Sequence, residues 1–168
     1  MTHEHSLKRL PAHELDSAVK KAEHYRDLNQ PEEAESICHD VLAVDDKHQG
    51  ALRVLGLAIT DRFNDKSVGL FEEAMKFFAQ LDSEYERTYH EGVAWERLGK
   101  AHLARGEAHG ALGAIEHAID HFERAEKIAP SGSPDAVLRY NRCVRLLESD
   151  MLKSAYEAPH SRHSILGD

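Results

Sequence analysis

The chain has two cysteines, one tryptophan, few aromatics (7%) and no stretch approaching 18 apolar residues. Each shortage excludes something. Cys38 and Cys143 lie far apart and form no CxxC pair, so neither a disulfide framework nor a cysteine-built metal site is expected. Both thiols are expected buried and reduced. Without a long apolar run, no membrane-spanning helix is expected. The opening "MTHEHSLKRLPAHE" lacks the apolar core of a signal peptide, so the chain reads as cytoplasmic. Val and Ile are sparse beside Ala, Leu and Glu, which favours helix over strand. No glycine-rich phosphate loop is present, since "GEAHGALG" follows no strand and has the wrong spacing.

What remains is acidic and rich in histidine. Hydrophobic residues make up 41% and charged residues 30%, the balance of a soluble globular chain with many exposed helix faces. Its 168 residues suffice for one domain with a substantial core. The formal charge of −9 makes nucleic acid and anionic lipid poor partners, because both carry the same sign. Protonating all 13 histidines would move that charge to +4, so surface charge depends on pH between about 5 and 7.

Apolar spacing predicts an all-α fold. Helices are expected over 14–28, 31–44 (with Pro31 opening the second), 49–62, 70–81, 84–105, 108–129 and 134–149. Breaks fall at "NQP", "DDKHQG", "NDKSVG", "RGE" and "PSGSP". The corresponding organisation is a flexible N-terminus over 1–12, a helical domain over 13–149 and a mobile tail over 150–168.

The helices repeat. In "AWERLGKAH", Trp95, Leu98, Gly99 and His102 have a W-xx-LG-xx-Y spacing, with His in the last aromatic place. In "AIDHFERAEKIAP", Ala118, Phe122, Ala125 and Pro130 have an A-xxx-F-xx-A-xxxx-P spacing. Leu52, Leu55, Gly56 and Ile59 form an earlier first-helix copy, as do Ala18, Ala22 and Tyr25. Second helices align Ala34, Cys38 and Val41 with Ala74, Phe78 and Leu81. Small residues let paired helices approach, and large ones fill the flanking holes. Over most of its length the chain resembles the tetratricopeptide repeat family. Three helix pairs followed by a capping helix are expected. Ala22 to Ala34 keeps the 12-residue spacing of a standard pair, whereas Gly56 to Ala74 is 18 and Gly99 to Ala118 is 19. The last two pairs are therefore extended, the third by seven residues, or about one turn per helix.

The resemblance implies a protein-interaction module or adaptor. Its concave groove, lined by first helices, would hold another protein or a peptide. Carried over residue by residue, that face is Val19, Glu23 and Arg26, then Arg53, Leu57 and Thr60, then Glu96, Lys100 and Leu103, with Asp16 and Val93 beside them. Arg139, Asn141 and Arg142 continue it only if the last helix keeps register. The family's carboxylate clamp needs basic and Asn residues where this chain has Val19, Glu23, Leu57 and Glu96; only Lys100 fits. A helical or mixed-charge guest suits the face better.

A second reading begins with His117 and His121, four apart on one helix face. In a hairpin turning near Gly106, residues whose numbers sum to about 211 face each other, which sets His90 opposite His121 and Trp95 near His117. His90, His117 and His121, with Glu91, would suit zinc or nickel if they converged. Against this, Ala118, Phe122 and Ala125 already define the buried stripe, and HExxH and paired ExxH motifs are missing. No cofactor or catalytic residue is assigned. The alternatives to the adaptor are a histidine-rich metal binder, a self-associating homo-oligomer and a small secretion-type chaperone.

Overall fold

The computed structural model describes residues 4–65 and 69–157, which form eight α-helices and one short 3-10 turn (Ala12–Glu14), with no strand among them. The helices are α1 (Leu15–Asp27), α2 (Pro31–Leu42), α3 (Gln49–Asp61), α4 (Leu70–Phe78), α5 (Glu84–Ala104), α6 (Ala108–Ile128), α7 (Asp135–Leu147) and α8 (Asp150–Glu157). Among the described residues no helix is long and apolar enough to cross a membrane. The all-α expectation holds.

Where one helical domain was expected, the chain divides into two compact units, Met1–Ser83 and Glu84–Asp168. The division falls in "AQLDS", a polar break that reads in sequence like any other helix-to-helix turn.

In the first unit, α1 packs on α2, α2 on α3 and α3 on α4, and α1 also touches α3. Pro31 occupies the first turn of α2, where a missing N–H costs nothing. His48 caps α3 by accepting the Ala51 N–H at 3.2 Å. The expected apolar stripes are buried: Ala34, Cys38 and Val41 on α2, Leu52, Leu55 and Ile59 on α3, and Ala74 and Phe78 on α4 with Leu81 beyond it. Gly56 is needed where it stands. A Cβ there would lie 2.4 Å from the Phe78 ring, so the glycine makes the seat for that side chain. Burial pushes the Cys38 thiol up to about 12, leaving it an inert part of this core.

In the second unit, α5 pairs with α6, α6 with α7, and α8 packs on α6 and α7. α5 and α6 are 21 residues each against 13 and 12 in α1 and α2, so the extension exceeds one turn per helix. The register also differs from expectation. Gly99 faces Ile115, whose Cδ1 would stand 2.6 Å from a Cβ, and the Ala111 carbonyl at 3.4 Å. Phe122 instead sits on Gly92, at 2.8 Å from a Cβ there. Gly99 to Ala111 thus restores the 12-residue spacing of the α1–α2 pair. The added length lies away from the turn, as a second glycine-and-large-residue contact one heptad on. Facing partners therefore lie up to three residues further along α6 than a tight turn at Gly106 gives.

The tail expectation is corrected in part. Residues 150–157 form α8 and bury Leu152 completely; 158–168 lie outside the described residues. One buried leucine anchors a helix too short to show periodicity in sequence.

Gly113, inside α6, has open space where a Cβ would go. Gly113→Ala is expected to stabilise the chain by about 0.5–1 kcal/mol, because alanine costs less conformational entropy in a helix. A rise in the urea midpoint at unchanged slope checks this.

Candidate partner-binding surface

The expected groove residues divide between the units. In the first, a hydrogen bond and two ion pairs bridge α1 and α3. His48 Nε2 meets Asp16 at 2.9 Å, Arg53 lies 3.7 Å from Glu23, and Arg26 grips Asp61 through Nε (2.7 Å) and Nη2 (3.2 Å). The partners advance together along both helices, so α1 and α3 run in the same direction, 30 to 35 residues apart in sequence. His48 Nδ1 accepts a backbone N–H, so the neutral ring already carries its proton on Nε2 and donates it to Asp16. At the end of α3, Arg62 also bonds both Glu35 oxygens, at 2.9 and 3.0 Å, tying α3 to α2.

Glu23, Arg26, Arg53 and Leu57 remain at least partly open to solvent along this seam. Val19 and Thr60 do not. Val19 is buried close to Gly50, and the Thr60 hydroxyl donates to the Leu57 carbonyl at 2.7 Å. Both leave the list of guest-contacting residues, because the α1–α3 seam closes over positions that a single helix wheel places outside.

In the second unit Glu96 is 1% exposed, which also removes it from the surface. Its Oε1 accepts from Lys100 Nζ at 2.7 Å and its Oε2 from Arg139 Nη1 at 2.6 Å. Arg139 Nε donates to the Tyr89 hydroxyl at 2.9 Å, and Tyr89 packs on Phe122, ring centres 5.8 Å apart. Burial alone would raise the Glu96 carboxyl, but the Lys100 hydrogen bond and the Arg139 charge outweigh it and hold it below the usual range. Burial also pushes the nearby Cys143 thiol up to about 12, and the Glu96 charge adds to this. Lys100 and Leu103 keep partial exposure. Tyr89 is not legible in the sequence as sharing Arg139 with Glu96; its position seven residues before Glu96, on the same helix face, is the available signal.

The histidines of α5 and α6 are engaged separately. His117 stacks on Trp95 with ring centres 4.4 Å apart, as the hairpin geometry suggested. His121 turns Nδ1 to the His117 carbonyl (2.8 Å) and Nε2 toward Glu91 (3.5 Å). His90 is buried, with Nδ1 on the Glu86 carbonyl at 2.8 Å. Among the described residues no three His, Cys, Asp or Glu side chains stand where they could hold a metal ion. His102, in the last aromatic place of the first-helix spacing, is half-buried at the hairpin turn, bonded to Glu107 and packed over Gly110.

A carbonyl only accepts, so His121 Nδ1 carries a proton and Nε2 needs a second one to bond Glu91. The Glu91 bond raises the His121 pKa above its ordinary value, burial and Arg124 oppose this, and the His117 carbonyl assists. The stabilisation is thus full below the unfolded histidine pKa and disappears as pH rises through the folded one. Urea unfolding of wild type and His121→Gln should show a larger gap at pH 5.5 than at pH 8.5. An equal gap at both would contradict this assignment.

The described residues form helices throughout, and in the first unit polar contacts join two helices of like direction, α1 and α3. Compared with models of protein families, with curated proteins and with solved structures, the chain matches none.

Proposed function

We propose that the chain is a tetratricopeptide-type adaptor that binds a peptide or helical segment of another protein along the seam of its first helices. The observation that carries this reading is the α1–α3 seam: two helices of like direction, about one repeat apart in sequence, stitched by a hydrogen bond and two ion pairs. Hairpins stacked with that offset present their first helices side by side, and such arrays use the resulting face for binding. Glu23, Arg53 and Leu57 supply acid, base and apolar contact there. That mixture suits an amphipathic guest.

The test is affinity capture from native lysate by the full chain, beside an Arg53→Glu, Leu57→Lys variant with an unchanged melting curve. One protein held by wild type and lost by the variant supports the reading. Equal recovery by both, or no specific capture, refutes it.

A further inference from the structure

On the α1–α3 seam the basic groups Arg26 and Arg53 already face Asp61 and Glu23. α7 is different. Leu138, Arg142 and Arg145 follow one another at helical spacing, and all three are exposed, Leu138 at 60%. Val137 lies beside them, 37% exposed. Arg139, on the same helix, is consumed by Glu96 and Tyr89, but Arg142 and Arg145 make no hydrogen bond or ion pair among the described residues. Among the described residues, a chain of formal charge −9 thus leaves two guanidiniums unpaired beside an exposed leucine.

We propose that this face of α7 docks an acidic amphipathic helix of a partner protein. Guanidinium pairs with carboxylate through two parallel hydrogen bonds, which favours Asp or Glu on the guest. Leu138 and Val137 require apolar side chains between those acids. From Leu138 to Arg145 the helix rises about 10 Å, the length of two turns, so a guest helix with leucines three and four apart matches it. A phosphate backbone has no use for the apolar pair, and the chain's net charge opposes an anionic membrane. The surface lies on α7 alone.

The probe is a fluorescein-labelled helical peptide of leucines and glutamates, followed by anisotropy with the full chain. Controls are its lysine counterpart and phosphatidylserine vesicles. Wild type should bind the glutamate peptide. Arg142→Glu with Arg145→Glu should weaken it at least about tenfold, and Leu138→Ser should also weaken it. The doubly reversed variant should in turn prefer the lysine peptide. All these positions are exposed, so an unchanged melting curve is expected for each variant. No binding by wild type, equal binding by the variants, or equal affinity for both peptides overturns the proposal. So does a preference for vesicles, or dimerisation in sedimentation that the variants abolish, which would give the face to a second copy. Loss of peptide binding in Arg53→Glu but not in the α7 variants would place the site on the seam: it overturns this inference and leaves the adaptor reading standing.

Discussion

Phe122→Ala should lower the unfolding free energy by about 3–5 kcal/mol, the loss seen when a fully buried phenylalanine is truncated in a packed core. Phe122 is completely buried, touches the Tyr89 ring and fills the seat that Gly92 leaves open. The glycine makes the argument specific. A Cβ at 92 would stand 2.8 Å from the Phe122 ring and 3.0 Å from the His121 Cβ. Gly92→Ala alone should therefore destabilise by about 1–2 kcal/mol, overpacking outweighing the helix preference of alanine. In the Phe122→Ala background the ring contact is relieved while the one with the His121 Cβ remains, so the same change should cost clearly less than it does alone. Urea melts of the four proteins close a double-mutant cycle. Additive losses would show that Phe122 does not rest on Gly92.

The second large effect is an asymmetry. Arg139→Met should cost about 2–3 kcal/mol, more than Glu96→Gln, which should cost about 1 kcal/mol. The two substitutions cut the same bond, but what they leave behind differs. Glu96 is 1% exposed and keeps only Lys100, so its charge stays in the interior. After Glu96→Gln, Arg139 and Lys100, with side chains 32% and 42% exposed, turn to water. The pH dependence follows from sign. In the wild type Glu96 is held below the ordinary carboxylate range, so its contribution is present at neutral pH and lost as pH falls through the folded value. Without Arg139 the carboxyl rises and takes up a proton sooner. The deficit of Arg139→Met should be largest near pH 7 and shrink toward pH 4.5. A deficit that is flat with pH would remove Glu96's charge from the explanation.

Burial of single helix faces was readable in the sequence. Ala34, Cys38 and Val41, or Ala118, Phe122 and Ala125, repeat at helical spacing, and one-sided burial follows from period alone. Pairing between helices was less readable. Gly92 and Gly99 lie seven apart on the same face, so spacing cannot say which of them receives Phe122; the motif marks Gly99, whose neighbours across the hairpin are Ile115 and Ala111 and not the expected Ala118. The burial of Glu96 depends on an arginine 43 residues away, a distance at which no periodicity reports. Val19 and Thr60 left the surface for a related reason, since a wheel drawn for one helix does not contain its neighbour. The histidine pair resolved into two separate contacts, one aromatic and one ionic, and only coordinates distinguish these.

The two glycine seats on α5, facing Ile115 and Phe122, also set the length by which this hairpin can change over evolutionary time. Seven residues bring a helix face back to within about 20° of where it began. Inserting one heptad in each helix therefore adds another seat and leaves the existing ones aligned. An insertion of three or four residues would rotate everything beyond it by roughly 40–60° and lift the large side chains off their glycines. Relatives with longer or shorter versions of this hairpin should differ by sevens, and any that do not should have lost the glycines.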